Sequence, residues 1–276
     1  MNILQKAMSA EVLDLSWRKL KQEHTPWSIK VSRDDLQAHL FKHVLQCREQ
    51  VLTGTYKPQP LRQFAMKKPD GKNRVLSAQY LADKFIQRAI LIVLEPAMEQ
   101  LFHDDSYAYR PKRSVAMALQ KVKERIYIGQ DWLVDADIKS FFDSIPIAAL
   151  SKTLKRFIND KAAMKLIEQW LAQGAHHQSF LSAKRGISQG AILSPLFCNL
   201  YLHSLDMALS KANIPFVRYA DDLLLFSSDQ AKAEKAHQFL SLQLNKLGLS
   251  LHPQKTQVVR SNPAVIFLGE SLPRVR

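Results

Sequence analysis

Apolar positions along this chain keep two different periods, and the places where one gives way to the other outline the fold. Residues 33–52 read as an amphipathic helix ending near Thr53-Gly54. Residues 55–77 read as extended segments around a turn at Pro69-Asp70-Gly71. From about Asp83 the apolar positions Ile86, Ile90, Val93 and Ala97 fall at threes and fours, which predicts a helix, and a second helix is expected after Ser114 as its N-cap. DWLVDADI (131–138) predicts a strand that runs into SFFDSIP, a turn and helix start. Residues 146–173 are helical in pattern, and 185–209 begin as a Gly-punctuated loop and become a helix with Leu193, Leu196 and Leu200 on one face. FVRYADDLLLF (216–226) predicts strand, turn and strand; a helix follows over 229–247, and a short hairpin is expected around 265–269. Helices and strands mix without strict βαβ alternation, so the expected class is α+β.

Composition narrows the function. The 276 residues suffice for one large domain or two small ones. A formal net charge of +14 points to a polyanionic partner, with nucleic acid the leading class. Residues 1–130 carry more of that excess than the rest. Cys47 and Cys198 are isolated, which supports neither a disulfide framework nor a zinc ribbon. The N-terminus is interrupted by charges, and the apolar run AILIVL (89–94) is too short to cross a bilayer, so a cytoplasmic protein without membrane contact is expected.

The adjacent Asp221 and Asp222 sit at the expected hairpin tip, and Asp137 ends a strand 84 residues earlier. Asp is common in tight turns, so a turn role competes with a chemical one. Three carboxylates at strand ends could converge on a metal cluster. Two Mg²⁺ ions about 4 Å apart would stabilise an attacking 3′-oxygen and a leaving pyrophosphate, which is nucleotidyl transfer. Asp135 shares the strand face of Asp137 and is expected to be structural or solvated. His39 and His43 stand at i, i+4, but no third zinc ligand is evident, so a solvated face is expected; His176-His177 is expected in a loop.

Eight blocks carry a resemblance, in order along the chain: KPDGKNRVLS, ADKFIQRAI, SYAYRPKRS, DIKSFFDSI, GISQGAILSPLFCNLYL, RYADDLLLF, LGLSLHPQKT and FLG. They resemble a reverse transcriptase of the bacterial group II intron-like lineage. The resemblance implies a right-hand polymerase fold, with fingers over 1–128 and part of 146–184, and a palm over 129–276 around an antiparallel sheet. It implies that Asp137, Asp221 and Asp222 bind the catalytic metals, two Mg²⁺ with Mn²⁺ as substitute. Phe142 would be the gate against a ribose 2′-OH, Gln189 and Gly190 would back the incoming nucleotide, and Tyr219 would lie along the primer–template minor groove. Lys67, Lys68 and Arg74 would hold the triphosphate, Lys255 would be general acid to pyrophosphate, and Arg110 and Arg113 would hold template phosphates. The implied substrates are an RNA template, a DNA or RNA primer and dNTPs.

Only ESLPRVR follows Gly269, so the thumb is expected to be absent or vestigial. A grip supplied by another polypeptide, weak processivity and a fragment remain open explanations. Within the lineage, HDDSYAYRPKRSVAMAL, DWLVDADIKSFFDSIP and GAILSPLFCNLYL are most similar to CRISPR-associated reverse transcriptases, which implies spacer acquisition from RNA beside an integrase complex. An intron maturase fragment and a catalytically silent nucleic-acid-binding scaffold are the competing readings.

Overall fold

The computed structural model describes residues 2–67, 73–175 and 183–274. The turn expected at 69–71, Lys68 and His176-His177 lie outside those residues. The chain packs as two units, one of residues 1–100 with 147–197 and the other of residues 101–146 with 198–276.

The first unit begins with α1 (Ile3–Ala7) and α2 (Ala10–Leu20). Asn2 and Gln5 close a capping box on α1, and the Ser9 hydroxyl accepts from the Val12 amide at the start of α2. The helix expected over 33–52 is two helices, α3 (Arg33–Ala38) and α4 (Leu40–Leu52), because His39 leaves helical geometry with φ −132° and ψ 35°. His43 is buried and its Nε2 lies 3.0 Å from the Asp35 carboxylate, so it packs across that break instead of facing water. β1 (Arg62–Lys67) pairs antiparallel with β2 (Asn73–Ala78). α5 (Leu81–Glu99) packs against α1 and α2, burying Phe85, Ile86, Ala89, Ile90, Leu94 and Met98; of the positions whose spacing predicted the helix, Ile86 and Ile90 enter the core, while Val93 is half-buried and Ala97 is exposed.

The second unit opens with α6 (Val115–Tyr127), where the Ser114 hydroxyl accepts from the Met117 amide, as the expected N-cap. β3 (Trp132–Asp137) leads into the one-turn α7 (Phe141–Ser144). The chain then returns to the first unit through α8 (Ile147–Phe157) and α9 (Lys161–Gly174). Asp160 caps α9 with one carboxylate oxygen on the Ala162 and Ala163 amides, while the other accepts from Leu4 and so ties α1 in place. α10 (Ser194–Lys211) starts in the first unit and continues in the second, with Leu193, Leu196 and Leu200 all buried. β4 (Phe216–Tyr219), β5 (Asp222–Ser227), α11 (Gln230–Lys246), β6 (Gln257–Arg260) and the hairpin of β7 (Ile266–Phe267) with β8 (Glu270–Ser271) complete the second unit.

Its four-stranded sheet is antiparallel throughout, in the order β4-β5-β3-β6. Leu133 pairs with Phe226 and Val259, Val217 with Leu224, and these side chains share one face. That face packs under Ala118, Leu119, Val122 and Ile126 of α6, and under Val265, Phe267 and Leu272. Residues 101–128, assigned to the fingers on sequence, therefore pack with the sheet unit, because the apolar face of α6 is a wall of its core. α11 packs over β3, β5 and β6 and buries Ala233, Ala236, Leu240 and Leu244.

One buried carboxylate in the first unit sets a pH response. Asp83 accepts from Trp170 Nε1 at 2.7 Å, the Tyr56 hydroxyl at 3.1 Å and the Gln59 amide at 2.9 Å. Burial outweighs these three bonds and raises its carboxyl from 3.8 to about 6. The folded state thus holds a proton that the unfolded chain releases, so this group's stabilisation is complete below pH 4 and is lost as pH rises through 6. A difference of that size corresponds to about 3 kcal/mol. We expect Asp83→Asn to flatten the fall in urea-unfolding free energy between pH 4.5 and 7 by about 2 kcal/mol, the part of the linkage that lies in that window, with about 1 kcal/mol lost at all pH values where its NH₂ faces the Gln59 amide.

Candidate functional site

The register that builds the sheet also sorts its side chains. Asp137 lies opposite Asp222, Asp135 opposite Leu224 and Gln257, and Tyr219 opposite Asp222. Asp135, Asp137, Asp222, Tyr219 and Gln257 therefore share the face that α6 covers farther along the strands. The apolar half of that face is the core and the polar half carries the candidate chemistry.

Only Ala220 and Asp221 separate β4 from β5, and Ala220 takes a positive φ of 59°. A residue with a Cβ gives up about 1–2 kcal/mol in that conformation, so something must hold the turn. Arg218 does so. It is wholly buried, and its guanidinium donates to both Asp206 oxygens at 2.8 and 2.6 Å, to Asn199 Oδ1 at 3.0 Å and to the Ala220 carbonyl at 3.1 Å. Asn199 in turn donates to the Ala108 carbonyl at 2.8 Å, and Arg218 pairs its backbone with residues 105–107. The next residue, Tyr109, has a φ of 58° and lies close enough to Asp221 and Asp222 that their charges add to the effect of burial in raising its phenol.

Asp221 is half-buried, and burial followed by Asp137 raises its carboxyl. Asp222 is pushed up to about 6 by desolvation and then by Asp221, Asp137 and Asp135. The Asp222 residue is exposed, so we give the three neighbouring carboxylates the greater weight. Lys255, with its side chain 62% exposed, lies 3.4 Å from Asp137 Oδ1, and the Asp137 carbonyl accepts from the His252 amide at 2.8 Å. Gln257 Nε2 donates to Asp135 at 3.2 Å, so Asp135 is bonded within the sheet. Among the described residues no group of three His, Cys, Asp or Glu side chains is gathered as a ready ligand set. A divalent cation fits here through the donors themselves: hard carboxylate oxygens whose mutual repulsion such a charge relieves.

Phe142 is half-buried against Phe141, with ring centroids 5.5 Å apart, just after Ser140 turns the chain at φ 46°. Arg110 is placed otherwise than expected. It is 7% exposed, donates to the carbonyls of His103 and Ser106 and stacks over Phe102, so its charge serves internal packing and not template phosphates. Arg113 is bonded to Asp104 and lies over the Tyr107 ring. Lys67, Arg74, Gln189 and Gly190 belong to the first unit. Lys67 is exposed at the end of β1, and Arg74 stands opposite Met66 in β2. Gln189 is half-buried and Gly190 exposed, with φ 96°.

Sequence reasoning passed over Arg218, Asp206, Asn199 and Tyr109. The signal was available: a charged residue inside the apolar run of β4, and two polar residues seven apart, on one side of the helix before it.

Comparison with known proteins names the class. Residues 66–272 match the reverse transcriptase (RNA-dependent DNA polymerase) family, and the chain belongs to it. Among similar proteins, YkfC of Escherichia coli K12 is 31% identical over 93% of this chain and 78% of its own length. The group II intron-encoded protein LtrA of Lactococcus lactis is 38% identical over 60% of this chain, which is 28% of LtrA. The fold is similar to a chain of a partial Cas6-RT-Cas1–Cas2 complex, with TM-score 0.52, 21% identity, and 89% of this chain matched to 43% of that one. It is also similar to a telomerase from Candida tropicalis, with TM-score 0.57, 14% identity, and 78% matched to 43%. The chain thus spans most of YkfC but less than half of the other three. Among the described residues no helix is long and apolar enough to cross a membrane.

A close approach in the first unit offers a test of the Gln189-Gly190 loop. A Cβ on Gly174 would stand 2.7 Å from the Ser188 backbone nitrogen, so the loop must shift to admit one. We expect Gly174→Ala to cost about 1–3 kcal/mol in denaturant unfolding, as the loop gives way to the added methyl.

Proposed function

We propose that this chain is an RNA-directed DNA polymerase that adds dNTPs to a primer 3′-OH along an RNA template. The observation that carries the reading is the placement of Asp137 and Asp222 as cross-strand partners beside Asp221 on a two-residue turn, within a chain of the reverse transcriptase family. The sheet unit serves as palm, and the unit with α5 and the β1–β2 hairpin as fingers.

Asp137, Asp221 and Asp222 would hold divalent cations, Mg²⁺ or Mn²⁺ in its place. When bound, these supply positive charge where the attacking 3′-oxygen and the leaving pyrophosphate become negative. The protein's own residues do the rest. The primer 3′-hydroxyl releases its proton to solvent as its oxygen bonds to the α-phosphorus and the bond to pyrophosphate breaks, and Lys255, exposed beside Asp137, donates a proton to the departing group. Phe142 fills the space a ribose 2′-OH would need, Tyr219 lies against the primer–template, Gln189 and Gly190 back the nucleotide, and Lys67, Lys68 and Arg74 meet its triphosphate. The excess of basic residues holds the duplex.

For the biological setting we propose RNA spacer acquisition with a CRISPR integrase, in the cytoplasm. The likeness to a Cas6-RT-Cas1–Cas2 chain supports the reading. The 38% identity to the group II intron-encoded protein LtrA supports an intron maturase and reverse transcriptase fragment as the second reading. Primer extension with and without an integrase complex separates them, since only the first setting couples extension to spacer insertion.

Two variants test the chemistry. Asp221→Ala is expected to lower the primer-extension rate on an RNA template at least about 10³-fold, with unchanged template affinity. RNA binding together with an undiminished rate would overturn the assignment. Phe142→Ala is expected to raise rNTP use relative to dNTP use by about 10- to 100-fold, read as the ratio of kcat/KM values.

A further inference from the structure

We propose that Arg218 is a positioning residue for the metal-binding carboxylates, acting through the Ala220 turn and through Asn199. The inference rests on the reading of Asp137, Asp221 and Asp222 as metal ligands.

Arg218 points away from the face that carries Asp222 and Tyr219, because successive residues of a strand alternate sides. It touches none of the candidate ligands directly. Its guanidinium is instead divided among three places that together frame them. Two donors are fixed on Asp206, and one Nη1 is shared between the Ala220 carbonyl and Asn199. The first of those shared contacts holds the left-handed residue immediately before Asp221. The second orients Asn199, whose NH₂ group holds the Ala108 carbonyl and with it the backbone leading to Tyr109. The strand pairing of Arg218 with residues 105–107 runs alongside, so both edges of the site are set from one buried group.

Asp206 explains why the position is an ion pair and not a neutral contact. A guanidinium with no exposed surface needs a full counter-charge, and the bidentate pair also fixes its plane. With that plane fixed, the remaining donors point in one direction only. A lysine could keep the charge against Asp206 but has no planar fork to reach Asn199 and Ala220 together.

The turn makes this testable apart from general stability. Glycine adopts φ 59° without steric cost, so a glycine at 220 needs less help from Arg218. The measurement is Mn²⁺ affinity, by the loss of the free-ion electron paramagnetic resonance signal, on the full chain without nucleic acid, beside the melting temperature. We expect Arg218→Lys to weaken Mn²⁺ at least 10-fold and to raise the Mg²⁺ concentration for half-maximal extension by a similar factor, while primer–template affinity stays within twofold. Adding Ala220→Gly to Arg218→Lys should recover several-fold of the Mn²⁺ affinity. A folded Arg218→Lys with wild-type Mn²⁺ affinity, or a double variant with no recovery, overturns the inference. Should Arg218→Lys not fold, Asn199→Ala carries the test: a loss of Mn²⁺ affinity of at least threefold in a folded protein supports the inference, and unchanged affinity overturns it. A wild-type chain that binds Mn²⁺ but extends no primer would instead overturn the polymerase reading while these comparisons still stand.

Discussion

A guanidinium with no contact to water sits behind the one turn on which the candidate chemistry is built. Burying the charges of Arg218 and Asp206 is expensive, and a pair of this kind repays its desolvation only when its donors are satisfied. Here both Asp206 oxygens, the Asn199 side chain and the Ala220 carbonyl are engaged. Removing one member of such a pair typically costs about 3–5 kcal/mol, because the other charge is left buried and alone. A hydrophobic replacement of both would pack as well, but it would not hold a strained backbone in one conformation. The ion pair therefore reads as a device of shape more than of stability.

The other constraint is the register of the sheet. Strand alternation places Leu133, Val217, Leu224 and Phe226 on the face shared with Asp135, Asp137, Asp222 and Tyr219. α6 and the segment around β7 and β8 cover the first group, with Tyr219 packed against the edge of that core. A slip of one residue between β3 and β5 would send the carboxylates to the opposite face and expose the core. The hydrophobic pattern that stabilises the sheet is thus what aims the aspartates. In return the sheet end carries neighbouring like charges, with Asp222 held up at about 6. Such local conflict is expected where a fold gives up stability for a function.

How much of this was legible in the sequence follows from which interactions are local. α5, α6, β3 and the β4–β5 hairpin were readable because period, capping serine and apolar runs are local signals. The break at His39 was not, since the turn there depends on His43 burying against Asp35. Arg110 misled for a related reason: an arginine in a basic loop looks solvated until its acceptors, here backbone carbonyls of the same loop, are located. The ordered motif blocks pointed to the family that residues 66–272 match. They were silent on Arg218, whose partners are 12 and 19 residues upstream on α10.

Those separations explain how the site can be ordered before any substrate arrives. Asn199 and Asp206 lie seven residues apart, two turns along α10, and so face the same side of a rigid helix. Arg218 joins that helix to the hairpin through side chains and to residues 105–108 through backbone pairing and Asn199. Three segments of the chain are then held by one group whose planar fork fixes the direction of every donor. A turn secured in this way keeps its carbonyl direction while the carboxylates beside it exchange protons. The holder is buried, while Asp137 and Asp221 are half-buried and Asp222 is exposed, so the backbone that presents the candidate ligands is fixed from inside the fold and their carboxylates are left to face what binds there.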